Sequence, residues 1–199
     1  MCARASFELC PACETRLAEP HRVSPGVLLA GVPVFAATTA HDDALRALRR
    51  IKDQGQTTLA RPLGRILRRA IDLAVADRRG VIFVCVPDSR KSFVRRGFHT
   101  VSLLVKRTGH ISFAGLLRRE RTRDQRGLTI DERRRNLENT MVAHPDLRSR
   151  PVILIDDVIT TGATAYECVR ALEEVGAEVI AVVAVTVVPR KFPKFAHNA

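Results

Sequence analysis

The 199-residue sequence contains no tryptophan, one tyrosine and eight phenylalanines, so aromatic residues make up only 5% of it. Proteins that bind single-stranded nucleic acid by stacking interleave such residues with basic ones, and this mode therefore has weak support. No run of 18 uncharged apolar residues occurs, which predicts that no helix spans a membrane. Arg4 and Glu8 interrupt the N-terminus where a secretory signal needs an apolar stretch. Together these absences predict a soluble, cytoplasmic protein.

Two common nucleotide-binding motifs are also missing. The sequence has no G-x-x-x-x-G-K-[ST] loop, which argues against a nucleotide hydrolase that holds magnesium on acidic residues. No G-x-G-x-x-G follows a predicted strand, so a dinucleotide-binding fold has no support either. The five cysteines form an odd set with three near the start, which favours a metal site or free thiols over a disulfide framework.

Positive charge is abundant, with 33 Lys and Arg against 21 Asp and Glu and a net charge of +12. Six basic residues and no acid lie between Arg90 and Arg107, and eight arginines stand against four acids between Arg118 and Arg135. Such a surplus attracts phosphates of every kind, and it predicts weak nucleic-acid binding without sequence preference. The simpler interpretation is a solvated surface.

Apolar patterning predicts an α/β domain with a mainly parallel sheet flanked by helices. The almost wholly apolar runs at 81–86 and 152–155 are typical of central parallel strands. The other predicted strands are 32–39 and 179–188, and the predicted helices are 42–51, 59–76 and 163–175. Residues 1–30 form a Cys-containing module with an irregular connection over 19–31, and residues 31–199 form the main domain.

The most informative segment is residues 152–164, where two carboxylates, Asp156 and Asp157, follow a buried strand. A short turn of hydroxyls and glycine then leads into a helix, whose first N–H groups and dipole suit a phosphate monoester. The carboxylates can accept hydrogen bonds from neighbouring sugar hydroxyls. An ordinary capped helix, with Thr164 and Glu167 as a capping box, is the alternative. It leaves the adjacent acids without the ligand, cation or basic side chain that they need.

This segment, VILIDDVITTGAT, resembles the 5-phosphoribosyl 1-pyrophosphate (PRPP) signature of type I phosphoribosyltransferases. Further motifs resemble the ComF family over nearly the whole chain. They are Val84-Cys85-Val86-Pro87, Arg95-Arg96-Gly97-Phe98 with His99 where Asn is usual, Gln125-x-Gly127-Leu128 and Arg133-x-x-Asn136. The resemblance implies a type I phosphoribosyltransferase fold.

The resemblance also implies roles for particular residues. A mobile loop at 119–136 would close over the ligand, with Arg133 and Arg135 reaching the pyrophosphate; these two and the acidic pair Asp156 and Asp157 are the candidate catalytic residues. The implied PRPP-binding residues are Asp156, Asp157, Thr160, Thr161, Gly162, Ala163, Thr164, Arg90 and Lys91. Magnesium is the implied cofactor, bound with PRPP, and the implied reaction transfers phosphoribosyl to an unknown acceptor with release of pyrophosphate. A catalytically silent PRPP-binding protein and a DNA-uptake or DNA-processing accessory remain alternatives, and a homodimer is one expected assembly.

Three of the cysteines suggest zinc. Cys10 and Cys13 have the spacing of half a zinc site, and Cys2 precedes them by eight residues. ComF-like chains carry a zinc-ribbon-like module there, so these three form an incomplete candidate site, for which His21 is a conceivable fourth ligand. Cys85 and Cys168 fall on predicted buried faces and are expected to act as small core residues.

Overall fold

The computed structural model describes residues 12, 15, 17, 21–22, 28–39, 41–119 and 139–188. The strands are β1 (His21–Arg22), β2 (Leu28–Leu29), β3 (Val32–Ala36), β4 (Ile82–Cys85), β5 (Ser112–Phe113), β6 (Leu116–Arg118), β7 (Met141–Ala143), β8 (Pro151–Ile159) and β9 (Glu178–Val187). The α-helices are α1 (His41–Gln54), α2 (Ala60–Val75), α3 (Arg90–Arg96), α4 (Thr100–Lys106) and α5 (Ala163–Glu174).

A seven-stranded sheet organises the chain, in the order β1-β3-β9-β8-β4-β5 with β2 also paired to β3. Five neighbouring strands run parallel to one another: β3, β9, β8, β4 and β5. Strands β1 and β2 instead pair antiparallel with β3. A separate antiparallel hairpin is formed by β6 and β7. Because parallel strands end at a common edge, the segments that follow β4 and β8 lie side by side.

The core has one layer on each face of the sheet. Val152 and Leu154 of β8 pack with α5 and the β6–β7 hairpin, whereas Ile153 and Ile155 pack with α1, α2 and α4. This alternation explains why the run VILI has no polar position: a central strand covered on both faces buries every side chain. The helices predicted at 59–76 and 163–175 are confirmed as α2 and α5, and the face of α5 around Cys168 is fully buried.

The structure corrects several predicted boundaries. β8 continues through both carboxylates to Ile159, because β9 keeps pairing with it after β4 has ended. Residues 90–96 and 100–106 are helices that the sequence analysis did not predict, and 116–118 with 141–143 form an unpredicted hairpin. Within the connection expected to be irregular, β1 and β2 are short strands of the main sheet. Leu17 is also buried in the core formed with α1 and α2.

Candidate functional site

Asp156 and Asp157 lie inside β8, just past the end of its neighbour β4. Cys85, the last residue of β4, pairs with Ile155, so the two carboxylates extend beyond β4 while β9 still supports them from the other side. Asp156 is 9% exposed and Asp157 is 7% exposed. The pair therefore occupies the crevice at the carboxyl end of parallel strands, where open α/β sheets bind ligands.

Burial dominates the electrostatics of Asp156. Loss of hydration, followed by the charge of Asp157, raises its pKa from 3.8 to about 7, and the charge of Asp88 acts in the same direction. The backbone N–H of Asp157 donates to Asp156 Oδ1 at 2.8 Å, which opposes the rise, as does the charge of Lys52. Asp156 is thus poised between its neutral and charged forms near neutral pH.

Asp157 has a counter-ion from α1. The Nζ of Lys52 lies 2.6 Å from Asp157 Oδ2. Ala47, Leu48 and Ile51 hold this helix against the sheet because they are buried in the core. The basic side chain that two adjacent acids were expected to need is therefore present for Asp157.

The turn after β8 forms the second part of the site. Thr160 is exposed, Thr161 is half-buried, and Gly162, which directly precedes α5, has a positive φ of 75°. That backbone conformation favours glycine, which explains the residue independently of any ligand. The Oγ1 of Thr161 accepts a long hydrogen bond of 3.4 Å from the N–H of Ala163. The α5 N-terminus and the hydroxyls of this turn together offer donors to an anion.

The capping-box alternative is wrong. Gly162, rather than Thr164, precedes the first helical residue of α5 and makes no side-chain cap. Glu167 instead accepts hydrogen bonds from Arg170 and, at 3.1 Å, from the backbone N–H of Met141. Because Arg170 also donates to the Met141 carbonyl, this ion pair fastens the β6–β7 hairpin to α5.

The segment after β4 brings positive charge to the same edge. Ser89 caps α3 by accepting a hydrogen bond from the N–H of Ser92, and Arg90 and Lys91 form the exposed first turn of that helix. Arg90 and Lys91, two of the implied PRPP-binding residues, therefore lie just past the end of the strand next to β8. The structure records no ion pair of Arg90 or Lys91 within the described ranges.

A buried ion pair organises this segment. Arg96 Nη2 donates to Asp88 Oδ1 at 2.7 Å and its Nη1 donates to Thr100 Oγ1 at 2.8 Å, while Asp88 Oδ2 accepts from the N–H of Thr100. The Arg96 and Asp88 side chains are only 6% and 14% exposed. Asp88 thus ties the turn after β4 to the start of α4, and Arg96 is not part of the solvated positive field predicted for 90–107.

Gly97, Phe98 and His99 of the Arg-Arg-Gly-Phe-His element also have structural roles. Gly97 ends α3 at a φ of 76°, with its N–H donating to the Phe93 carbonyl. Phe98 packs on the core, and the His99 ring stacks on Phe93 with centroids 4.4 Å apart. The motif therefore encodes the shape of the turn beside the acidic pair.

We expect Arg96→Met to lower the free energy of unfolding by roughly 3 kcal/mol, because it leaves the Asp88 carboxylate buried without its partner. The neighbouring Arg95 is the matched control: its side chain is 66% exposed and lies 3.6 Å from Asp53. Arg95→Met should change stability by less than about 0.5 kcal/mol. Urea denaturation of both variants measures the difference, and equal losses would contradict the role given to Arg96.

The two described cysteines differ in burial. Cys168 is fully buried in α5, and burial raises the pKa of its thiol well above its usual value, as expected of a core residue. Cys85 is half-buried at the end of β4, beside Ser102 and Ser112, and burial also raises its thiol pKa. Both are free thiols.

Some predicted site residues lie outside the described residues. These are the loop arginines Arg133 and Arg135 and the cysteines Cys2, Cys10 and Cys13. Within the described residues, no group of three or more His, Cys, Asp or Glu side chains could hold a metal. The same residues include no helix long and apolar enough to cross a membrane.

Sequence reasoning missed Lys52, Asp88 and the role of Arg96. The predicted helix ends at Ile51, one residue before Lys52. Nothing in the neighbouring sequence indicates that Lys52 contacts β8. Asp88 follows the Val-Cys-Val-Pro run directly, as Asp156 follows the run in β8. That repeated pattern, an apolar strand ending in an acid, is the signal that could have pointed to Asp88.

Residues 111–194 match the Phosphoribosyl transferase domain family. This range contains β8, the acidic pair, the Thr160–Gly162 turn and α5, whereas Lys52, Arg90 and Lys91 lie outside it. The fold is that of a type I phosphoribosyltransferase. The predicted fold class is thereby confirmed, with the mainly parallel sheet flanked by helices on both faces.

The curated relatives include proteins named for DNA utilization and for competence. The chain is 28% identical over 195 residues to DNA utilization protein YhgH of Escherichia coli O157:H7, covering 90% of this chain and 84% of the relative. It is 32% identical over 146 residues to Competence protein F of Haemophilus influenzae, covering 68% of this chain and 64% of that protein.

Solved structures with partial similarity include two enzymes. One, described as an allosteric regulatory enzyme of purine biosynthesis, is 20% identical with a TM-score of 0.41 and covers 64% of this chain. The other, glutamine PRPP amidotransferase from B. subtilis, is 19% identical with a TM-score of 0.43 and covers 71% of it. The matches span only 26% and 30% of those two chains.

Proposed function

We propose that this protein binds PRPP at the carboxyl edge of β4 and β8 and transfers its phosphoribosyl group to an acceptor, with release of pyrophosphate. One observation carries the proposal: a buried pair of carboxylates runs directly into a hydroxyl-bearing turn and a helix N-terminus. This arrangement offers acceptors for a sugar diol beside donors for a phosphate. The match to the Phosphoribosyl transferase domain family and the similarity to Competence protein F support it, and they favour membership of the ComF family.

Each part of PRPP has a proposed partner. The 5-phosphate would accept hydrogen bonds from the turn and helix start at Thr160, Thr161, Gly162, Ala163 and Thr164. The ribose hydroxyls would donate to Asp156 and Asp157. Arg90 and Lys91 would balance the pyrophosphate from the neighbouring strand end, and Arg133 and Arg135 are proposed to reach it from the loop.

The proposed chemistry is displacement at ribose C1. An acceptor atom, expected to be nitrogen, forms a bond to C1 as the bond to pyrophosphate breaks, through a transition state with oxocarbenium character. No side chain need act as a nucleophile. The protein would contribute by fixing the ribose with the acidic pair and by placing positive charge where the leaving group gains negative charge.

Magnesium fits this edge as a partner of the substrate. It prefers oxygen ligands, keeps several waters and is commonly held through one or two carboxylates plus substrate phosphates. Asp156 and Asp157 offer such carboxylates, whereas no three-residue metal cluster exists in the described part of the chain. When bound, magnesium would neutralise charge on the departing pyrophosphate. We therefore propose that it enters with PRPP.

Thermal unfolding with PRPP and magnesium tests the proposal. A ligand that binds only the folded state stabilises it by about 2.7 kcal/mol at 100 times its dissociation constant, so the melting temperature should rise. Ribose 5-phosphate and pyrophosphate, tested separately, should each give a smaller rise because each fills part of the site. Absence of any shift at millimolar PRPP would refute PRPP binding. A nucleobase screen for pyrophosphate release then separates turnover from binding alone.

Handling of DNA is the second candidate function, either alongside PRPP binding or in a protein that does not turn PRPP over. The names of the curated relatives favour it, as does the net charge of +12. In the described residues, Arg90, Lys91, Arg95, Lys106 and Arg107 of the first basic segment are exposed. These five side chains can therefore contact DNA phosphates, whereas Arg96 is buried in its ion pair with Asp88.

We expect binding to single-stranded DNA to weaken steeply with salt. If about four phosphates are neutralised, affinity should fall about 50-fold between about 50 and 200 mM salt, because counterion release drives it. Lys106→Gln with Arg107→Gln should reduce both the affinity and this salt dependence. Arg148→Gln with Arg150→Gln, two exposed residues beside β8, removes the same charge and is the control. Fluorescence anisotropy measures all three proteins, and binding that persists at high salt would contradict this mode.

Three further expectations stay predictions. Zinc binding through Cys2, Cys10 and Cys13 can be measured by metal analysis of the purified chain. A homodimer can be measured by sedimentation. A cytoplasmic location is the expectation from the sequence.

A further inference from the structure

Lys52 occupies a position that the proposed reaction does not use. It lies near the end of α1, and its Nζ is 2.6 Å from Asp157 Oδ2. The side chain of Lys52 is 30% exposed and that of Asp157 is 10% exposed. The lysine therefore reaches the acidic pair from a helix that is packed on the sheet, and its own side chain stays partly in contact with solvent.

The charges that face this contact are few. Asp156 is adjacent in β8, and Asp88 stands at the end of β4, where Arg96 and the Thr100 N–H already satisfy it. Within the described ranges, Lys52 is the one cationic side chain recorded in an ion pair with Asp156 or Asp157. The pair thus has one resident positive charge beside it, and its negative charge would be uncompensated without Lys52.

We propose that Lys52 is the resident counter-cation of the acidic pair: it orients Asp157 for a ribose hydroxyl and keeps free divalent cations off the pair until PRPP arrives. The part that concerns ribose rests on the proposed function. Lys52 contacts Oδ2, which leaves Oδ1 of Asp157 as the acceptor for a sugar hydroxyl. An ammonium group at this distance holds the place beside the carboxylate that a metal ion would take.

The proposal explains how an acidic site can accept a strongly anionic ligand. Two uncompensated carboxylates would repel PRPP and would attract magnesium before the substrate came. With Lys52 in place, the pair has a smaller net charge, and the divalent cation is held mainly by the pyrophosphate it accompanies. Lys52 is thus a positioning and specificity residue rather than a catalytic one.

Titration with Mn²⁺ in the absence of PRPP tests the counter-cation role directly. Electron paramagnetic resonance of free Mn²⁺ reports binding to the wild type, Lys52→Met, Lys52→Gln and the control Lys106→Met. Lys106 is an exposed lysine of α4, so its substitution removes the same charge elsewhere. We expect both Lys52 variants to bind one Mn²⁺ at least tenfold more tightly than the wild type or Lys106→Met. Adding Asp157→Asn to Lys52→Met should reverse the gain.

Equal Mn²⁺ affinity in the Lys52 variants and Lys106→Met would overturn the proposal, as would a gain that survives Asp157→Asn. Lys52→Arg keeps the charge and should behave as the wild type. Far-UV circular dichroism tests whether each variant folds. If Lys52→Met does not fold, the Mn²⁺ affinity of Lys52→Gln is used in its place. This arm needs no PRPP, so its outcome is independent of the proposed function.

Calorimetric titration with PRPP supplies the second arm. We expect Lys52→Met to lose at least tenfold in PRPP affinity when magnesium is chelated and to recover most of it with magnesium, because the metal then replaces the missing charge. The same loss in both conditions would overturn the counter-cation role. A wild type that does not bind PRPP in either condition would refute the proposed function, and the Mn²⁺ arm would still decide the role of Lys52.

Discussion

Replacing Asp156 and Asp157 by Asn together is expected to weaken PRPP binding at least about 100-fold, because a hydrogen bond to a charged group contributes about 1.5–3 kcal/mol. The amides keep the shape of both side chains, and an amide oxygen at position 156 can still accept from the backbone N–H that now donates to Asp156 Oδ1. Lys52 loses its partner but is 30% exposed, so water can solvate it. The fold should therefore survive, and calorimetry with PRPP and magnesium measures the loss.

A control variant separates the loss of the acidic pair from the change in net charge. Asp42→Asn with Asp77→Asn removes two exposed carboxylates and raises the net charge by two units, at least as much as the acidic-pair variant does. A more positive protein attracts a polyanion more strongly, so this control should bind PRPP as well as the wild type or slightly better. The acidic-pair variant should bind it far less well, against that trend. Unchanged PRPP affinity in the acidic-pair variant would mean that segment 152–164 has been misinterpreted.

The sequence predicts the central strands and helices because each of them has a local pattern of apolar residues. The VIFVC and VILI runs become β4 and β8, and apolar residues at helical spacing, such as Leu63, Leu67 and Ile71, form the buried face of α2. Helices α3 and α4 could not be predicted in this way, since each has only seven residues and α3 buries no apolar residue. The ion pair of Asp88 with Arg96 holds α3, and the start of α4 is held by the Thr100 N–H on Asp88 and by the burial of Val101 and Leu104.

The part of the candidate site that is contiguous in the sequence could be predicted. The part that comes from distant segments of the chain could not. Asp156, Asp157 and Gly162 follow one another in the sequence and are adjacent in the structure. The end of β8 was placed too early because acids usually terminate apolar strands, whereas β9 extends the pairing past them. Lys52 comes from a helix about a hundred residues earlier, and only the packing of α1 on the sheet brings it to Asp157.

The pH dependence of stability gives the second large effect. Asp156 has a pKa of about 7 in the folded chain and an ordinary value of 3.8, so between these values the folded state holds a proton that the unfolded state has lost. Stability therefore falls as pH rises through this window, by about 1.4 kcal/mol per pH unit at most. Over the full window the loss is about 4 kcal/mol, an upper value that other titrating groups will modify.

Asp156→Asn isolates this contribution because an amide does not titrate. The variant should equal the wild type in stability near pH 4 and exceed it by up to about 4 kcal/mol near pH 8, since it is spared the cost of a buried charge. Asp77→Asn, at an exposed carboxylate just after α2, is the control and should track the wild type at every pH. Urea denaturation across this range gives the difference curve. A difference that stays constant with pH would show that Asp156 keeps an ordinary pKa, and that Lys52 and the backbone N–H of Asp157 compensate its charge fully in the folded protein.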